Sequence, residues 1–281
     1  MRLNPLIRKE ITVSGRSGNL AAFIAVINSV LFLSGLLLLF GNLLVMEETE
    51  SLEPRSLLLS WPVTVLLLLL IVIFILPGRT VSLIAKERDS GTLDLLIASG
   101  MTPLRIVSGK FFSEFLMSAV ILLSTIPAIF LPLLFGGVRF ESCLFLMALL
   151  LLGTVFSLSA GLFGGAQGRA QGRGAALSYA LLLFFAAGPA LIAFLLKPLS
   201  ITGGNYAVWL LLLSPETPVL LLLSLITGQT GLIGETAAFF GYSGPLLTPL
   251  KLLFMSAGLG LLTAVLFFAG SVRAVNRGRE R

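Results

Sequence analysis

Six stretches of this chain are long, apolar and almost free of charge, and no other feature restricts its fold as strongly. They run 20–45, 57–76, 104–135, 144–163, 175–196 and 247–268. A helix rising 1.5 Å per residue needs about 20 apolar residues to cross a hydrocarbon core of about 30 Å. Each stretch supplies that length. In hydrocarbon every backbone amide needs an internal partner, so only helices or a closed barrel can span. The continuous apolar runs fit helices and lack the short alternating segments of barrel strands. The expected fold is all-α: one polytopic transmembrane domain over residues 1–281 with six spans. With 57% hydrophobic and 11% charged residues, the chain is far from the roughly 25% charge of a soluble domain.

A seventh apolar stretch, 207–226, is interrupted by Ser214-Pro215-Glu216-Thr217-Pro218. Neither half is long enough to span. It is expected to form a re-entrant or interfacial hairpin inside an external segment 197–246, with Trp209 near the headgroups.

Positive charge orients such a chain. Of the 19 basic residues, only Arg55, Arg139, Lys197 and Lys251 fall on one side of the six-span arrangement, where Glu47, Glu48, Glu50 and Glu53 also lie. The rest gather on the other side, in 1–19, 77–110, the 164–174 loop and the tail 269–281. Six spans with both termini in the cytoplasm satisfy this map. The net charge of +6 then reflects loops facing anionic lipid rather than a nucleic-acid surface. The first span has no small-residue cleavage site after it, so it reads as a retained helix in a bacterial or archaeal plasma (inner) membrane. Residues 1–19 begin with Asn4 as a helix cap and Pro5 at the first helical position, and read as an amphipathic interfacial helix.

The segment 77–103 is the most informative. Asp89-Ser90-Gly91-Thr92 breaks the chain. Leu93, Leu95, Leu96 and Ile97 then form a helix too short to span, which Ser99-Gly100 ends. Thr102 caps the third span and Pro103 opens it. The expected result is a capped surface helix held by short turns between two spans, which suits a lever driven by a soluble partner.

The run Ala85-Lys86-Glu87-Arg88-Asp89-Ser90-Gly91-Thr92-Leu93-Asp94-Leu95-Leu96, followed by Ile106-Val107-Ser108-Gly109-Lys110, resembles the permease subunits of ABC-2 type transporters. Their pattern here is Glu-Arg-x-x-Gly-Thr-Leu-Glu/Asp-x-Leu, then Ile-Val-x-Gly-Lys. The opening Asn4-Pro5-Leu6-Ile7-Arg8-Lys9-Glu10 looks similar to that family's start. The resemblance implies that Glu87, Arg88, Ser90, Gly91, Thr92, Leu93, Asp94, Leu95 and Leu96 form a coupling helix seated on a separate ATP-binding cassette ATPase. It implies a second permease copy or paralogue, a translocation path at the dimer interface, and export driven by ATP and magnesium on the partner, with no cofactor bound directly by this chain.

No Walker A pattern occurs. The glycine-rich run 164–174 lacks the Lys-Ser/Thr pair that contacts phosphate and magnesium, so hydrolysis is expected from the partner and not from this chain. With one cysteine and no histidine, a disulfide framework and a Cys/His zinc site are excluded; Cys143 reads as a small apolar helix residue. Polar groups within spans are few. Asn28, Ser29, Ser34, Glu114, Ser178 and Tyr179 are candidates for the cavity or for interhelical hydrogen bonds, with Lys110, one turn back, as a possible partner for Glu114. The pairs Gly161/Gly165 and Ser256/Gly260 have the spacing that brings helices close. Gly188-Pro189, Pro127 and Pro132 are expected to bend their helices. Two other functions remain open on these residues: an ion-coupled secondary transporter, which would need midplane ionisable groups, and an assembly or anchoring protein without transport of its own.

Overall fold

The computed structural model describes residues 12, 18–49, 60–134, 138–168, 171–196, 209–227 and 249–279. The amphipathic segment proposed for 1–19 lies almost wholly outside these residues, as do much of 197–246 and the end of the tail. Among the described residues every regular element is helical: α1 Gly18–Thr49, α2 Ser60–Leu70, a π-helical turn Ile71–Ile75, α3 Leu76–Asp89, α4 Thr92–Ala98, α5 Pro103–Ser124, α6 Ile126–Leu134, α7 Phe140–Gln167, α8 Gln171–Leu196, α9 Thr217–Thr227 and α10 Pro249–Arg279. Six stretches among the described residues are long and apolar enough to cross a membrane, in the order expected: Leu20–Leu37, Trp61–Asp89, Pro103–Leu131, Phe140–Gln167, Gly172–Ile192 and Leu250–Arg277.

Three boundaries differ from the sequence reading. The second span does not give way to a loop at Pro77: the helix continues to Asp89. Proline in a regular helix clashes with the carbonyl four residues back and offers no N–H. Here the turn just upstream is widened, with the Leu76 N–H bonding to the Ile71 carbonyl five residues back, so the rod absorbs Pro77 without breaking. The third span, read as one run to 135, is interrupted at Thr125. Pro127 follows two residues later, and the Thr125 N–H and hydroxyl both turn back to the Leu122 carbonyl. Helix α10 runs past 268 through the basic tail to Arg279, where arginines favour the negative end of the helix dipole. By contrast, α8 runs on through Pro189.

Helix α7 is the central element, in contact with α3, α5, α8, α9 and α10. Small residues make that possible. A Cβ at Gly161 would fall 2.9 Å from the Pro77 carbonyl oxygen, and one at Gly165 2.7 Å from that of Val81, so α3 and α7 touch through their main chains. Ser256 is buried, but nothing lies within 4 Å of the Cβ position of Gly260; that second pair is not a close crossing among the described residues. The main apolar core joins Ile27 and Leu31 of α1, Trp61 and Leu68 of α2, Ile129 of α6, Leu146 and Leu150 of α7, Leu222 of α9 and Leu253 of α10. Trp61 is buried and donates its indole N–H to the Ile129 carbonyl at 3.1 Å, which satisfies its one polar atom. The remaining faces of α1, α5, α8 and α10 present rows of exposed leucine, valine and phenylalanine, as helices solvated by lipid require. The short α9 enters this core through Val219, Leu221 and Leu222, and Trp209 before it is exposed.

Candidate functional site

The interest lies at the bundle end where α3, α4 and α5 meet the C-terminus of α7. Helix α3 ends in two backbone hydrogen bonds, Ser90 N–H to Lys86 O and Gly91 N–H to Arg88 O, both 3.0 Å. Gly91 takes φ +69°, the left-handed conformation that ends helices and that glycine adopts without strain. The Thr92 hydroxyl donates to the Glu87 carbonyl at 3.2 Å and lies 2.9 Å from the Ser90 hydroxyl, tying the start of α4 to the end of α3. Helix α4 closes with Ser99 N–H on Leu95 O, and Gly100, at φ +81°, reverses the chain. Thr102 caps α5 by accepting from the Arg105 N–H, with Pro103 at the first turn. The chain break at Gly91, the end of α4 at Gly100 and the Thr102-Pro103 start of α5 are as the sequence reading has them, but α4 begins after Gly91 without the side-chain cap expected for it.

Two basic side chains fix this hairpin to the frame. The Lys110 ammonium, 1% exposed, meets the Glu87 carboxylate at 2.8 Å and donates to the Leu83 carbonyl at 2.9 Å. The Arg88 guanidinium donates to the carbonyls of Ala166 (2.7 Å) and Gly168, at the last turn of α7. These carbonyls have no intrahelical partner, and the cation also suits the dipole there. Leu93 turns inward and is buried, whereas Leu95 is 69% exposed and Thr92, Ala98, Ser99 and Gly100 are exposed with it. Leu96 is half-buried. Asp94 lies in α4, between the buried and the exposed leucine. The loop residues therefore divide into an inward set (Glu87, Arg88, Leu93) and an outward set centred on Leu95.

Glu114 does not pair with Lys110. Its carboxylate meets Arg79 of α3 at 2.5 Å, and the Arg79 guanidinium also lies over the Phe23 ring of α1, 5.9 Å from its centroid. Lys110 is drawn instead to Glu87, which the continuation of α3 brings alongside α5. The other polar candidates stand apart from the hairpin. Asn28 donates to Ser124 Oγ at 2.9 Å, joining α1 to the end of α5. Ser34 bonds within its own helix to Leu31, and Ser29 is exposed. Ser178 is buried and donates to the Gly174 and Gly161 carbonyls, where α8 crosses α7. Tyr179 donates to the Phe74 carbonyl at 2.8 Å, on the widened turn. These six residues therefore do not form one cluster. Among the described residues no three Cys, Asp or Glu side chains come together as metal ligands would.

Sequence reading counted Arg79 and Lys110 chiefly as loop charges. The spacing of Glu87 and Lys110 within the two halves of the motif was the available signal for their pairing, but nothing local to either half points to it.

Among the described residues the chain is a helical, multi-pass membrane protein with a braced, partly apolar helix projecting from one end. The model of the ABC-2 family transporter proteins matches residues 55–273. The chain belongs to this family, and is a transmembrane transporter component. No curated protein matches it.

Proposed function

We propose that this chain is the permease subunit of an ATP-driven exporter and that α4 is its coupling helix. The carrying observation is the division of the hairpin: Leu95 stands exposed on a short helix whose two flanks are tied to spans two, three and four through Glu87–Lys110 and Arg88. An exposed leucine on so short a helix suits a groove on a soluble ATP-binding cassette ATPase, as the apolar face of a helix laid into a groove does. The ties to α5 and α7 would carry displacement of that helix into the spans. The partner supplies ATP hydrolysis and binds ATP and magnesium; this chain binds neither. Two permease copies, or this chain and a paralogue, enclose the path between them, with Asn28 and Ser34 of α1 as polar groups near it.

The basic end faces the cytoplasm of a cell with a plasma (inner) membrane, and both termini lie on that side. Helix α9 and the segment around it lie towards the exterior. The proposal is tested by co-purification. Leu95→Asp, at an exposed position, should leave the chain folded but abolish retention of the ATPase and ATP-dependent transport. A fully retained ATPase with normal transport in this variant would overturn the assignment.

A further inference from the structure

At the basic end a cleft of about 440 Å³ opens between the start of α5 and the last turns of α10, walled by Thr102, Pro103 and Leu104 on one side and Val272, Arg273, Asn276 and Arg277 on the other. Arg273 and Arg277 are four residues apart, so both side chains leave the same helix face. Both are exposed, neither forms an ion pair among the described residues, and no Asp or Glu lines the cleft. Two like charges at this spacing repel in an isolated helix unless an anion lies between them. The guanidinium fork matches phosphate oxygens two at a time, and the Asn276 amide and Thr102 hydroxyl add neutral donors. The cleft wall also carries Pro103, Leu104 and Val272, and the exposed Phe112 and Leu116 continue the apolar surface of α5 beyond Leu104.

We propose that this cleft holds the phosphate of an anionic phospholipid headgroup, clasped by Arg273 and Arg277, with the acyl chains lying along the Leu104–Phe112–Leu116 row. The placement rests on the bilayer orientation proposed above; the test needs neither the ATPase nor transport, so the two readings fail separately. A soluble phosphate would use the arginines but would gain nothing from the apolar row. The full chain in detergent is titrated with phosphatidylglycerol, phosphatidylcholine or inorganic phosphate, with bound molecules counted by native mass spectrometry. Each arginine near an anionic group strengthens binding about fivefold, so Arg273→Gln with Arg277→Gln is expected to weaken phosphatidylglycerol binding about twenty-fivefold. Lys86→Gln with Arg173→Gln, an equal charge loss at exposed positions outside the cleft, should change it less than about twofold. Phosphatidylcholine should bind weakly to all three proteins. Equal loss in both double variants, no loss in the first, or displacement of the lipid by inorganic phosphate at matching concentration would each overturn the proposal.

Discussion

Replacing Lys110 with methionine removes one charge while keeping most of the stem volume. Lys110 is 1% exposed and its ammonium meets Glu87 at 2.8 Å and the Leu83 carbonyl at 2.9 Å. The second carboxylate oxygen of Glu87 is already buried without a partner. The substitution therefore leaves a largely buried carboxylate with no counter-charge. Removing one member of a buried pair costs about 3–5 kcal/mol. The Glu87 side chain keeps 17% of its exposure, and water reaching it places the expected loss at the lower end, about 3 kcal/mol. For a chain of this size that corresponds to a fall in Tm of about 6–12 °C, measured in detergent by the fluorescence of the two tryptophans. Glu87→Gln with Lys110→Met removes both charges and should recover more than half of the loss, because two neutral groups of similar shape need no counter-charge. A Tm within about 2 °C of the parent in Lys110→Met, less than 1 kcal/mol on this scale, would refute the reasoning. So would a double variant no more stable than the single one.

Two further outcomes follow from the packing. Gly165→Ala places a Cβ 2.7 Å from the Val81 carbonyl oxygen, so α3 and α7 must move apart at a cost of about 1–3 kcal/mol. Gly260→Ala, with open space beside it, should be neutral or slightly stabilising; paired thermal melts read the contrast. Burial pushes the Glu216 carboxyl, before α9, up to about 7, against a hydrogen bond to its own backbone that lowers it. Between pH 4.5 and 7 the folded chain thus holds a proton that the unfolded chain releases, and stability falls as pH rises through this window. The Tm should be higher at pH 5 than at pH 8, and Glu216→Gln should flatten that dependence; an unchanged slope in the variant would count against a protonated Glu216.

Much of the architecture was legible because membrane solvation writes itself into local composition. An uninterrupted run of about 20 apolar residues is long enough to cross, and a helix there satisfies every backbone amide within the segment. The turns around α4 were legible for a similar reason. Gly91 and Gly100 supply left-handed backbone, and Thr102-Pro103 begins a helix, through chemistry contained within a few residues. The continuation through Pro77 was not, because a widened turn at Ile71–Ile75 has no signature in a uniformly apolar stretch. The pairing of Lys110 was not either. Its neighbour at i+4, Glu114, is the local choice, and Glu87 becomes the nearer carboxylate only once α3 lies against α5.

The amino-acid sequence by itself determined the six spans, the asymmetry of charge between the two ends and the presence of a short helix between spans two and three. These depend on segment length, solvent and local backbone chemistry. Only the tertiary structure decided which face of that helix is free and what holds the other. Arg88 and the carbonyls of Ala166 and Gly168 are far apart along the chain, and so are Glu87 and Lys110. The Arg88 contacts exist because the glycines of α7 let α3 approach to main-chain distance, and the Glu87–Lys110 pair because α3 also lies against α5; both conditions are set by packing between helices and absent from any single segment.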